Sequence, residues 1–145
     1  MTAASASPDV ISAVVGYLRE TLRGRGGPDG AVDVGIVCGS GLSGLSNLLE
    51  GAVSVPYAAI PHFPVASVAG HGQELVFGSL GGKLVCCARG RFHHDEGHGL
   101  QTLGLLPRVF AALGARVVIV TNAAGGVNPG ACSPGCAVAL GKRPA

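Results

Sequence analysis

Charge is scarce in this chain. Asp, Glu, Lys and Arg make up 12% of its 145 residues, against about 25% in ordinary globular domains. So few charges cover a surface poorly, and part of this surface is expected to be covered by other protein. The balance is nearly neutral, with a net charge of +2. That is too weak a bias to argue for nucleic acid or an anionic membrane as partner. Aromatic residues are only 4%, and no basic stripe interleaves with them. The first nine residues lack the basic start and apolar run of a signal peptide. No apolar run is long enough to span a bilayer. The chain therefore reads as soluble and cytoplasmic. Glycine is plentiful, at 25 residues, but no Gly-X-Y period is present and collagen is excluded. The five cysteines are Cys38, Cys86, Cys87, Cys132 and Cys136. Their odd number, and the apolar runs around the first three, predict buried, reduced thiols. Cys132 and Cys136 lack the second pair or neighbouring His that a zinc site needs, so no metal is expected.

What is present fits one domain with a sizeable core. Hydrophobic residues are 48% of the chain, too many for disorder. Ser7-Pro8-Asp9 reads as a helix start, with a capping hydroxyl and Pro at the first helical position. Val10, Ile11, Val14, Val15, Leu18 and Leu22 then share one face. Val32 to Cys38 reads as a buried strand, and Leu42, Leu45, Leu48 and Leu49 as a short helix. Short β segments are expected near Val53–Tyr57 and Val65–Val68. Glu74–Leu80 and Lys83–Ala88 flank Gly81-Gly82, a hairpin signal. Leu100, Leu103, Leu106, Val109, Phe110 and Leu113 have helical spacing. Pro107 inside that pattern predicts a late start or a kink, and Gly114 a stop. Val117–Val120 is a strand, followed by a loop over Thr121–Gly130. Helices alternating with strands predict an α/β domain.

Three stretches carry chemistry. Gly39-Ser40-Gly41-Leu42-Ser43-Gly44 follows a strand and has the spacing of a dinucleotide fingerprint. The acidic residue that would hold a ribose about twenty positions on is missing, since no Asp or Glu occurs from Ala52 to Gln73. What remains is an anion site built from backbone N–H groups and the Ser40 hydroxyl. Arg89 to His98 is polar and holds three of the five His. Arg supplies a fork of donors suited to phosphate, and His a donor that titrates near pH 7. The alternative there is a solvated loop with surface ion pairs. Thr121 to Pro129 is rich in small residues that let a ligand lie against backbone; the alternative is an ordinary turn. His71 reads as a loop residue or a ligand group, and His62 as structural. No nucleophile elbow is present. Each of the three stretches follows a strand, so neighbouring strands would make the loops converge on one anion.

Five motifs, in order, resemble those of the trimeric purine nucleoside phosphorylases and their sibling, methylthioadenosine phosphorylase. They are Val37–Leu42, Ile60–Pro64, Gly70–Gly72, Gly90–His93 and Thr121–Gly126. The resemblance runs from about Val34 to Pro129. It implies an α/β single domain with a mixed β-sheet, partly closed into a barrel and surrounded by helices. It also implies phosphorolysis of purine nucleosides, of the inosine or guanosine type, to free base and ribose 1-phosphate in purine salvage. Inorganic phosphate is then the co-substrate, no cofactor is needed, and the assembly is a homotrimer. Carried over by motif, Ser40, His71, Arg91, Phe92, His93 and the backbone at Ala123 hold the phosphate. Asp95 stands where the family has a sugar-site Tyr, and His98 where it has a further Tyr. A carboxylate at 95 would repel phosphate unless paired.

Residues 1–145 thus read as the N-terminal part of a nucleoside phosphorylase domain, with 142–145 an unmatched tail. In the family the groups that read the purine come from the other half, so little or no activity is expected of this chain alone. The competing expectations are a methylthioadenosine phosphorylase, a truncated, non-catalytic subunit that associates with full-length enzyme, and an oxidoreductase fragment resting on Gly39, Gly41 and Gly44.

Overall fold

A computed structural model describes residues 7–39, 41–64, 73–92, 100–122 and 137–142. Helix α1 spans Pro8–Gly24. The Ser7 hydroxyl accepts from the Val10 N–H at 3.4 Å, and Pro8 opens the first turn. The expected face is the one that packs: Val14, Val15, Leu18 and Leu22 are buried, with Val10 and Ile11 partly so.

Six strands follow: β1 Val34–Cys38, β2 Glu50–Pro56, β3 Glu74–Leu80, β4 Lys83–Arg89, β5 Val117–Asn122 and β6 Ala137–Lys142. They form one sheet in the order β2-β3-β4-β1-β5-β6. β1 lies parallel to both β4 and β5, while β2–β3, β3–β4 and β5–β6 are antiparallel. The expected hairpin is β3–β4, with Leu80 opposite Lys83. Gly81 and Gly82 between them have φ of 57° and 73°, the sign at both positions that a tight hairpin turn demands.

Two helical expectations need correction. The apolar spacing through Leu100–Leu113 is split into α2 Leu100–Leu103 and α3 Leu105–Leu113. The break falls at Gly104 and not at Pro107. Pro107 is the third residue of α3, where a missing N–H leaves no intrahelical bond unmade. The segment after Gly41 is a 3-10 helix, Ser43–Leu48. Leu42 and Leu48 are exposed, Leu45 is half-buried, and of the four leucines only Leu49, just past the helix, is buried, so the spacing does not mark a core-facing helix. The expected β segment at 65–68 lies outside the described residues.

The sheet is mixed, as the resemblance implies, but it is open. Barrel closure would need a ladder joining its two ends. Among the described residues, β2 and β6 each have one neighbour.

The central strands are buried on both faces, as parallel strands between covering layers must be. Alternation along each strand divides the core. Val37, Leu75, Phe77, Cys86 and Ala88 face α1 and α3, packing with Leu18, Val109 and Phe110. Ile36, Cys38, Val76, Val85 and Cys87 face the other way and meet Leu49. Asp33 fastens the start of β1. Its carboxylate accepts from the Leu84 N–H at 3.0 Å, and its carbonyl from the Arg116 N–H at 3.0 Å.

Burial gives the core an alkaline weakness. It pushes the Cys86 thiol well above its ordinary 9.0. The Tyr57 phenol rises well above 10.0, first through burial and then through its acidic neighbours Cys86, Cys38 and Glu74. Both groups keep their protons in the folded chain at pH values where the unfolded chain loses them. The unfolded state then binds fewer protons, and stability falls as pH rises. Each group costs about 1.4 kcal/mol per pH unit above its unfolded value. Urea midpoints under reducing conditions should therefore hold steady to about pH 8.5 and fall clearly by pH 10.5. A flat profile over that range would contradict this burial.

Candidate functional site

The parallel strands β4, β1 and β5 end side by side. Cys38 lies opposite Arg89, and Val37 opposite both Ala88 and Val120. The loops that leave them therefore start from one edge of the sheet, the usual place for ligands in open α/β folds. The convergence expected of the three stretches is present at their described ends.

Thr121 ties these ends together. Its hydroxyl accepts from the Gly39 N–H at 2.6 Å and donates to the Val37 carbonyl at 3.1 Å. Arg91 Nη1 reaches the Thr121 carbonyl at 3.5 Å. One threonine at the end of β5 thus fixes the first residue of the Gly39–Gly44 turn and contacts the arginine that follows β4. In the sequence Thr121 marks the start of a small-residue loop and of the Thr121–Gly126 motif, and nothing assigns it this stitching role. The available signal was a hydroxyl directly after the apolar run Val117–Val120.

Replacing Thr121 by valine keeps the shape and removes both hydroxyl bonds. The Gly39 N–H loses its partner, which costs about 1–3 kcal/mol. We expect a matching drop in stability on urea denaturation, while Thr121→Ser stays near the parent. Equal stability of the valine and serine variants would show that the hydroxyl does not hold the loop.

Arg91 is half-buried and Phe92 is buried. Gly90 before them has φ of 101°, a backbone state that disfavours any side chain, and it turns the chain out of β4. Its carbonyl accepts from the Tyr57 hydroxyl at 2.8 Å. Phe92 lies in an aromatic cluster with Tyr57 and Phe63, at ring-centroid distances of 5.5 and 5.9 Å. Of the other expected site residues, Ser40, His71, His93, Asp95 and Ala123 lie outside the described residues, as does His98. His62 is exposed, with φ of 61°.

Beneath the turn, Cys38 and Cys87 are buried and free, hydrogen-bonded to each other. That bond, with the nearby Arg89 guanidinium, holds the Cys38 thiol below its ordinary value against the opposing effect of burial. The same bond, together with burial, pushes Cys87 far up. Cys86 is likewise buried and free, so the expectation of buried, reduced thiols holds for these three. Cys132 and Cys136 lie outside the described residues. Arg89 Nη1 pairs with Glu74 Oε1 at 2.7 Å. Among the described residues, no group of three or more His, Cys, Asp or Glu is placed to hold a metal, and no helix is long and apolar enough to cross a membrane.

The turn after β1 leads into a 3-10 helix of six residues without a side-chain cap. It is not the long α-helix whose N-terminus holds a pyrophosphate in dinucleotide-binding folds. With the missing acidic residue, this disfavours the oxidoreductase reading.

A family profile described as Phosphorylase superfamily matches residues 33–140. The chain belongs to that superfamily. Its phosphorylase relatives include the purine nucleoside phosphorylase of Anopheles gambiae, 52% identical over 96 residues, which are 66% of this chain and 27% of the relative. Purine nucleoside phosphorylase 1 of Geobacillus stearothermophilus is 47% identical over 95 residues, which are 66% of this chain and 35% of that protein. Among solved structures, isoform 2 of the Schistosoma mansoni purine nucleoside phosphorylase, in complex with cytosine and ribose 1-phosphate, superposes with a TM-score of 0.74. It is 38% identical, covering 86% of this chain and 42% of that one. The match to these phosphorylases thus spans about a third of the curated relatives' length.

Proposed function

We propose that this chain carries the phosphate-binding half of a purine nucleoside phosphorylase site. The observation that carries the reading is the stitching of three parallel strand ends by Thr121, which sets the Gly39 turn and Arg91 on one edge of the sheet. Phosphate is the co-substrate. Ser40 and the turn's backbone, His71, Arg91, Phe92, His93 and the backbone at Ala123 line its site. Asp95 stands at the sugar position.

In the reaction a phosphate oxygen bonds to C1′ of the nucleoside as the bond from C1′ to the purine nitrogen breaks. The base leaves with the electron pair and takes up a proton. The sugar passes through an oxocarbenium-like state, which a dianion held beneath it stabilises. Fixing phosphate in one pose also makes the encounter effectively unimolecular. Nothing in this scheme needs a covalent intermediate, a metal or an organic cofactor. The setting is cytoplasmic purine salvage, the assembly a homotrimer, and residues 1–145 the N-terminal part of one domain, with 142–145 an unmatched tail.

The test is phosphate-dependent release of hypoxanthine from inosine. The purified chain alone should give little or no turnover while still binding phosphate. Robust turnover would contradict the view that base-reading groups from elsewhere are required. A second reading is favoured by the span of the match, about a third of the relatives' length. In it the chain joins full-length subunits without catalysing. Co-expression should then lower the specific activity of the full-length enzyme or change its assembled mass; no change in either would count against it.

A further inference from the structure

The geometry points to Tyr57 as the positioning residue for Arg91, acting from outside the anion site through both of that arginine's chain neighbours. The inference rests on the phosphate-site reading above and adds to it a residue that none of the five motifs contains.

On one side of Arg91, the Tyr57 hydroxyl donates to the Gly90 carbonyl at 2.8 Å. On the other, the Tyr57 ring packs against Phe92 at 5.5 Å and against Phe63 at 5.1 Å. Phe63 closes the cluster by meeting Phe92 at 5.9 Å, edge to face. All three rings are buried, Tyr57 to 1% exposure. Tyr57 is itself held, since its N–H donates to the Gln73 carbonyl at 2.8 Å. A rigid, two-torsion side chain thus grips residues 90 and 92 at once.

The residue between them gains the most from this. A left-handed glycine such as Gly90 is conformationally free, and an arginine after it would sample many directions. Pinning both neighbours restricts Arg91 to the direction in which its guanidinium reaches Thr121. Ordering that side chain in advance removes an entropy cost from anion binding. Burial raises the phenol well above its ordinary value, so it remains a donor near neutral pH.

Tyr57→Phe in the full chain isolates the hydroxyl, because the ring and its packing stay. Amide exchange should rise about tenfold at Arg91 and Phe92 and stay within about twofold across the β3–β4 ladder. Phosphate affinity, read by titration with inorganic phosphate, should fall by about five- to tenfold. Unchanged exchange at 91 and 92 would overturn the assignment. So would a uniform rise across the ladder, which marks general loosening, or faster exchange at 91 and 92 with undiminished affinity. A parent chain that binds no phosphate would instead sink the phosphate-site reading. The exchange arm would then decide alone whether Tyr57 pins the segment.

Discussion

Arg91→Ala is expected to weaken phosphate binding by on the order of 30- to 100-fold. A guanidinium offers paired, charge-assisted donors to phosphate, each worth about 1.5–3 kcal/mol. Here the side chain is half-buried and already oriented toward the end of β5 by its contact with the Thr121 carbonyl. Arg91→Lys keeps the charge and loses the planar fork, so it should recover only part of the affinity. Urea stability of both variants should stay within about 1 kcal/mol of the parent, since the hydrogen bond that Arg91 makes among the described residues is long and weak. Inorganic phosphate titrated into the three chains measures this. Equal affinity for parent and alanine variant would remove Arg91 from the site.

Gly35→Ala is expected to cost about 3 kcal/mol of stability, or to prevent folding. Gly35 is the second residue of β1, where α3 packs on the sheet. A Cβ there would stand 2.4 Å from Cδ2 and 2.5 Å from Cγ of Phe110, and 2.9 Å from its Cβ. Phe110 is fully buried, and the atoms met include Cβ and Cγ, which a change of ring orientation does not clear. Overpacking of this kind costs about 1–3 kcal/mol, occasionally more, out of a total of about 5–15 kcal/mol for a domain. Shrinking the opposing ring in the same chain, as Phe110→Leu, should recover part of the loss. The coupling appears in a double-mutant cycle. Additive losses would mean that the helix does not rest on Gly35.

Local signals in the sequence led to the right elements where the physics is local. The Ser7-Pro8 cap, the apolar face of α1 and the Gly81-Gly82 turn each involve residues a few positions apart, and each forms as expected. The convergence of the strand ends was legible for a different reason. Three chemically suited stretches each followed a strand, and only their adjacency in the sheet remained open. The order β4-β1-β5 answers it.

What sequence could not supply is pairing over long separations. Thr121 bonds to Gly39 across 82 positions, and Tyr57 to Gly90 across 33. No spacing rule connects such residues. The leucines from Leu42 to Leu49 misled for the opposite reason. Their spacing is helical, but Ser43–Leu48 winds as a 3-10 helix and leaves Leu42 and Leu48 exposed. At Gly104 a glycine outweighed the proline three residues later, because a first-turn proline breaks nothing. The expected barrel closure came with the family resemblance and not from the pattern of strands. The six strands described form an open sheet.

The central claim is that three strand ends make one anion site. It is tested most directly by titrating inorganic phosphate into the isotope-labelled chain and following backbone amide resonances. Saturable shifts are expected, grouped at Gly39–Gly41, Gly90–Phe92 and Thr121–Ala123, all with one dissociation constant, and lost together in Arg91→Ala. Shifts confined to one of these segments, or none at phosphate concentrations that saturate weak sites, would contradict it.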